Sequence, residues 1–230
     1  MSVFSKPVAE LNTQPIRAVL FDLDGTLIDS VPDLTAAIDL MLQSIGKAPA
    51  GEEKVNRWVG NGAAALVRRA LADCGADEAF SSAYSVFEFA YAQRLTQATG
   101  LYPGVLSVLS ELASAGMVLG LITNKPRRFT LPLLRTLNIH HFFAEVICGD
   151  DLEFKKPHPL PVQTALTRLN ISTEQAIMVG DSISDVKSAR DAGVKSVAVT
   201  YGYNHGIAIT DASNECQADM FIDQLPQLLC

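Results

Sequence analysis

The sequence predicts an α/β fold: a doubly wound parallel sheet carrying an inserted all-helical unit. Three observations predict it. Short, continuous apolar runs recur along the chain and end abruptly in polar residues, as strands buried on both faces do. Helical apolar spacing fills most intervals between them, and strand alternating with helix is the pattern of a parallel sheet. One long interval, residues 33–97, breaks the alternation and shows helical spacing alone.

The first strand is residues 17–21, Arg-Ala-Val-Leu-Phe, which stops at Asp22. In the inserted segment Leu34, Ile38, Leu42 and Ile45 repeat at helical spacing, as do Tyr84, Phe87, Tyr91 and Leu95. The aromatic stripe reads as helix core rather than as a cofactor box. Hinges are expected near residues 30–33 and 99–103. Residues 1–30 and 100–230 would then form the sheet domain, and 31–99 a helical cap. Val105, Leu106, Val108, Leu109 and Leu112 fit a helix that starts near Pro103 and stops at Gly116. Further strands are expected at 118–122, 144–147, 176–179 and 196–199, with helices at 129–137, 161–169 and 185–192. Polar residues follow each strand, where sheets of this kind place their active sites.

Composition narrows the function. The 230 residues carry a formal charge of −7, with 48% apolar and 19% charged residues. A chain of 24.7 kDa folds to a surface of ~10,000 Å², burying about 70% of what it exposes unfolded, so no staple or structural metal is required. The apolar content excludes a disordered chain. The acidic balance argues against a nucleic-acid partner and against docking on anionic membranes. Residues 1–15 hold no long apolar stretch, so no secretory signal is expected. The longest interior apolar run, near 116–122, is far short of a membrane span. Cys74, Cys148, Cys216 and Cys230 show no paired or metal-type spacing. They read as reduced thiols of a cytoplasmic protein, monomeric or homodimeric.

The strongest chemical signal is Asp22-Leu23-Asp24-Gly25-Thr26, directly after the first strand. Residues i and i+2 of an extended segment point the same way, so both carboxylates can face one site. A buried like-charge pair is costly unless a cation or proton offsets it. Gly25 permits a sharp turn beside a ligand. A second acidic cluster, Gly180-Asp181-Ser182-Ile183-Ser184-Asp185, ends another strand. Helix capping explains one of its acids but not both. Oxygen ligands without Cys or His nearby point to Mg²⁺. Thr123-Asn124 offers hydroxyl and amide donors to an anion, and Lys156 a compact positive charge suited to phosphate.

In that order, Asp-Leu-Asp-Gly-Thr, Thr-Asn, Lys-Pro-x-Pro and Gly-Asp-x-x-x-Asp resemble the four motifs of the haloacid dehalogenase (HAD) superfamily, whose core is Rossmann-like. Separations of 101, 33 and 25 residues from Asp22 to Thr123, Lys156 and Asp181 in turn fit that pattern. The long first gap accommodates the helical cap of the capped branch. Trp58-Val59-Gly60-Asn61-Gly62 and Tyr201-Gly202-Tyr203-Asn204 further resemble the bacterial phosphoglycolate phosphatases.

The resemblance implies a Mg²⁺-dependent phosphomonoester hydrolase acting on a small phosphorylated metabolite, with 2-phosphoglycolate the expected substrate. Asp22 is the implied nucleophile, forming an aspartyl phosphate. At the ordinary aspartate pKa of about 3.9 it needs no help to be ionised. Asp24 is the implied acid and then base. Thr123, Asn124 and Lys156 would bind the phosphoryl oxygens. The metal would be held by Asp22, the main-chain carbonyl of Asp24, and Asp181. Asp185 would hold a metal-bound water or orient Lys156. Thr26, Asn124, Gly60, Asn61 and Arg68 are the expected substrate contacts, with Arg57 and Arg69 as alternatives to Arg68. Related readings are a sugar-phosphate phosphatase or a phosphosugar mutase. A phospho-signalling receiver shares the Asp, Thr and Lys set but is about half as long and has no cap. Three lesser patterns are set aside. Gly60 to Ala65 fits a loose dinucleotide pattern without the strand that should precede it. His140-His141 reads as a helix end, and Asp150-Asp151 as a strand-end turn.

Overall fold

In the computed structural model, residues 3–211 and 217–229 are described. A short helix, α1 (Lys6–Ala9), precedes β1 (Ala18–Phe21) and β2 (Ile28–Asp29). Four helices follow, α2 (Val31–Ser44), α3 (Glu52–Trp58), α4 (Ala63–Asp73) and α5 (Phe80–Ala92), and then β3 (Gly100–Leu101). The alternation resumes with α6 (Val105–Ser114), β4 (Val118–Ile122), α7 (Arg127–Thr136), β5 (Glu145–Ile147) and α8 (Leu160–Leu169). It closes with β6 (Ala176–Gly180), α9 (Ile183–Asp191), β7 (Lys195–Val199) and β8 (Met220–Ile222).

Six strands form one parallel sheet in the order β5-β4-β1-β6-β7-β8. The chain therefore winds outward in both directions from β1, and the crevice beyond its carboxyl end is where such sheets bind ligands. Alternation along β1 explains its unbroken apolar sequence. Val19 and Phe21 enter the core built with α6 and α7, while Ala18 and Leu20 enter the one built with α8 and α9. All four are fully buried. The accessible surface, 9954 Å², matches the ~10,000 Å² expected from mass.

The expected strands are present, with ends displaced by at most one residue. Two features escaped the sequence reading. β8 has only three residues at the sheet edge, too few for periodicity to register. β2 and β3 pair antiparallel over two residues each, Ile28 with Leu101 and Asp29 with Gly100. That pairing is tertiary: each partner is meaningless without the other.

The helices between β2 and β3 share their own apolar core, in which Leu34, Ile38 and Leu42 meet Phe87 and Tyr91. The aromatic stripe is core, as expected, and stacks in sequence. Ring centroids lie 5.4 Å apart for Phe80–Tyr84, 6.4 Å for Tyr84–Phe87 and 5.7 Å for Phe87–Tyr91. Tyr91 then meets Phe129 of α7 edge-on at 5.0 Å, so the stripe ends against the sheet unit. Asp33, buried on α2, accepts hydrogen bonds from Ala98 N (3.0 Å), Thr99 N (2.7 Å) and Thr99 Oγ1 (2.8 Å). It ties the two chain crossings together, a role no motif announces.

His140 and His141 sit in a single 3₁₀ turn. Asp150 accepts from Arg127 N, and Asp151 pairs with the Arg127 guanidinium. Cys74 and Cys148 are free thiols; Cys216 and Cys230 lie outside the described residues. Among the described residues no helix is long and apolar enough to cross a membrane.

Candidate active site

The site grows from the end of β1. Asp22 N still donates to Val179 O of β6 at 2.9 Å, so its carboxylate starts from a fixed sheet position. The chain then turns over the Leu23 carbonyl, which accepts from the amides of Leu27 (2.9 Å) and Ile28 (3.1 Å). Gly25 takes φ +85°, and a Cβ there would stand 2.3 Å from Asp181 Oδ2. Only glycine satisfies both demands. The turn thus presses the first motif against the fourth.

Asp22, Asp181 and Asp185 are all buried, and each offers an oxygen within 4.8 Å of the others'. One ammonium stands among them. Lys156 Nζ lies 2.7 Å from Asp22 Oδ1 and donates to Asp185 Oδ1 (2.6 Å) and Ile122 O (2.5 Å). Burial works against its charge, but Asp185 and Asp22 outweigh that and hold Lys156 above the ordinary lysine pKa. Asp181 accepts from Thr26 Oγ1 (3.1 Å) and Tyr203 N (2.8 Å).

One lysine does not balance three carboxylates. Burial, and then the Asp185 and Asp181 charges, push Asp22 well above the usual carboxylate range despite Lys156. This corrects the expectation that Asp22 ionises without help: its ordinary pKa applies in water, not at a buried sheet edge. Burial and Asp185 likewise push Asp181 up to about 7. The donor set is all oxygen, and the deficit is of positive charge, so a hard divalent cation fits these residues. A linkage follows for the metal-free protein. Between the ordinary value of 3.8 and about 7 the folded state binds more protons at Asp181 than the unfolded state, so stability falls as pH rises. In EDTA, the melting temperature should decline from pH 5 to pH 8, and saturating Mg²⁺ should flatten that decline. A rising curve in EDTA would contradict the charge deficit.

Asp185 also caps its own helix. Its Oδ2 accepts from Ser182 N (3.1 Å) and Ser182 Oγ (2.7 Å), while Oδ1 holds Lys156. Of the two roles expected for it, this geometry suits the orienting of Lys156. Asp24 turns its carboxylate away from the acidic cluster. It accepts from Ser30 Oγ (2.6 Å) and pairs with Lys125 Nζ (2.8 Å). Thr123 is buried beside Asp22 in the cavity wall, and its Oγ1 accepts from Lys125 N at 3.2 Å. Asn124 also lines the cavity and donates from Nδ2 to Lys156 O at 2.9 Å.

Two of the expected substrate contacts do not line the cavity. Thr26 is fully buried behind Asp181, away from the cavity lining, and its hydroxyl serves that carboxylate. Arg68 is exposed, with its guanidinium 3.8 Å over the Phe80 ring. It lies on the outer side of α4, where helical rotation sends it away from the cavity. The neighbouring Arg69 turns inward, donating to Trp58 O (2.5 Å) and Asn61 Oδ1 (2.8 Å) and touching His205 Nδ1 at 3.3 Å. Arg57, the other alternative, pairs with Glu53 at the surface.

Gly60 and Asn61 do line the cavity, in the turn between α3 and α4. The turn's glycines admit the sheet unit rather than a ligand: a Cβ on Gly62 would stand 2.7 Å from Asn124 O. Asn61 Nδ2 reaches Ser184 Oγ at 3.4 Å, and Lys155 Nζ donates to Asn61 O at 2.5 Å. Tyr203, from the segment after β7, accepts from Ser30 N (2.9 Å) and donates to Asp29 Oδ1 (2.7 Å). Lys125 was missed altogether. The only available signal was its place directly after Thr123-Asn124.

Sequence and structure comparisons identify the family. The model of the haloacid dehalogenase-like hydrolase family matches residues 19–199. The chain belongs to that family. It is 47% identical over 215 residues to phosphoglycolate phosphatase 1 of Pseudomonas aeruginosa, covering 91% of this chain and 79% of that one. It is 45% identical over 214 residues to the phosphoglycolate phosphatase of Nitrosococcus oceani, covering 91% and 93%. Among solved structures, a predicted phosphoglycolate phosphatase from Haemophilus somnus superposes with a TM-score of 0.83 at 33% identity, covering 91% of this chain and 95% of that one.

Proposed function

We propose that this chain is a Mg²⁺-dependent phosphatase that hydrolyses 2-phosphoglycolate to glycolate and phosphate. One observation carries the chemistry: a buried carboxylate at the end of β1, Asp22, set 2.7 Å from Lys156 among acids that need a cation. The substrate is carried over from the named relatives, which match along nearly the whole chain.

Asp22 attacks phosphorus, forming an Oδ–P bond as the ester P–O bond breaks. Asp24 gives its proton to the departing glycolate oxygen and then takes one from the water that cleaves the aspartyl phosphate. Thr123 and Asn124 position phosphoryl oxygens, and Lys156 supplies a fixed positive charge beside them. Asp22, the Asp24 carbonyl and Asp181 would hold Mg²⁺, which supplies the charge that keeps Asp22 ionised and offsets that of the phosphoryl group. Asp185 orients Lys156. Residues 31–99 form a cap on the sheet domain of 1–30 and 100–230, closing the cavity with Gly60, Asn61 and the inner end of the aromatic stripe. The enzyme works in the cytoplasm.

Phosphate release from a panel of monoesters tests this. With Mg²⁺, 2-phosphoglycolate should be turned over fastest, and excess EDTA should abolish the reaction. Sugar phosphates preferred at equal concentration would move the assignment to a sugar-phosphate phosphatase or mutase. Stable phosphorylation without turnover would indicate a signalling module.

A further inference from the structure

The cavity contains a cation that the hydrolytic chemistry does not use. Among the described residues lining it, two are cationic, Lys125 and Lys156. All three Lys156 donors are engaged, by Asp22, Asp185 and Ile122 O. Lys125 is buried, with Nζ 2.8 Å and 3.2 Å from the two Asp24 oxygens and 4.9 Å from the centre of the Tyr91 ring. Tyr91 comes from α5, across the cavity. Tyr91 is 1% exposed; its hydroxyl oxygen faces the Lys125 ammonium, while its O–H proton has no acceptor among the described residues. A buried donor left unpaired is costly, and each such group calls for an explanation. Around this pair the wall is apolar, formed by Leu34, Leu66, Phe87 and Phe129. An ammonium and a phenol donor set in an apolar wall constitute a small anion receptor.

Resting on the substrate reading above, we propose that Lys125 and Tyr91 receive the carboxylate end of the substrate and are what selects it from neutral phosphomonoesters. Asp24 must reach the ester oxygen, and Lys125 touches Asp24 directly, so the receptor suits a phosphoester whose carboxylate lies close to the ester oxygen. The Tyr91 phenol keeps the proton the role needs. Burial pushes the Tyr91 phenol up to about 12.

The test is the ratio of kcat/KM for 2-phosphoglycolate to that for ethyl phosphate, which has methyl in place of carboxylate. It is measured with Mg²⁺ on the full chain and on K125M, K125R and Y91F. In the parent the ratio should be large. K125M should cut it on the order of 30-fold or more, the loss for one partner of a buried charge pair. K125R should restore part of it. Y91F should cut it about 3- to 10-fold, the loss for one neutral hydrogen bond. A lysine that only steadied Asp24 would slow both substrates alike and leave the ratio intact; that result overturns the proposal while the substrate reading stands. A parent ratio near one overturns the substrate reading and the receptor with it. If K125M does not fold, the Y91F ratio decides, since that change removes one hydroxyl and keeps the ring in the apolar core.

Discussion

Replacing Asp22 by asparagine should abolish phosphate release and, in the absence of metal, should raise the melting temperature. The two effects come from the same carboxylate. As the proposed nucleophile, Asp22 would form the bond to phosphorus, and removing such a group costs on the order of 10⁴-fold or more in rate. As a buried charge it opposes folding: burial and the Asp185 and Asp181 carboxylates hold it well above the usual carboxylate range, and Lys156 only partly relieves this. Asparagine keeps the shape and an acceptor oxygen for Lys156 but carries no charge. Each kcal/mol gained shifts the melting temperature of a chain this size by about 2–4 °C. Calorimetry in EDTA at pH 8, beside an assay with Mg²⁺, reads both effects. Parental activity would remove Asp22 from the nucleophile role. A lower melting temperature would refute the charge deficit at the sheet edge.

Replacing Lys156 by methionine acts in the opposite direction on stability. Lys156 is 2% exposed and is shared by Asp22, Asp185 and the Ile122 carbonyl. Its loss leaves buried carboxylates uncompensated, at a cost of about 3–5 kcal/mol. Turnover should fall below detection, because no fixed cation then stands beside the phosphoryl group. The double variant K156M/D185N should recover part of the stability, since it removes one stranded charge, and none of the activity. Denaturant midpoints without metal measure the first effect. A K156M protein as stable as its parent would show that the acids find another cation or sit in better solvated surroundings than the structure indicates.

Much of the candidate site was legible because it is assembled from strand ends. A parallel sheet places every carboxyl end on one edge, so Asp22, Thr123 and Asp181, each following an apolar run, had to converge. The helical insertion was legible from Leu34, Ile38 and Leu42 for the same kind of reason: periodicity reports which face is buried. Arg68 and Thr26 show the limit. Choosing among Arg57, Arg68 and Arg69 requires the rotation of α3 and α4 about their axes, which the inward packing of Leu66 and Val67 determines. Thr26 belongs to the first motif, yet the turn at Gly25 folds it behind Asp181.

By itself, then, the sequence determined the order of strands and helices, the strand-end chemistry and the need for a cation, because these follow from local pattern and from the cost of burying like charges. Tertiary structure alone decided how that charge is distributed and what faces it. It raised the Asp22 pKa, engaged both Asp185 oxygens, joined β2 to β3 and brought Tyr91 from α5 to within 4.9 Å of Lys125 Nζ. Apart from the Ser182 cap on Asp185, which is local, those outcomes depend on distances between residues 29 or more positions apart or on the dielectric they share, and neither is written in any local run of the chain.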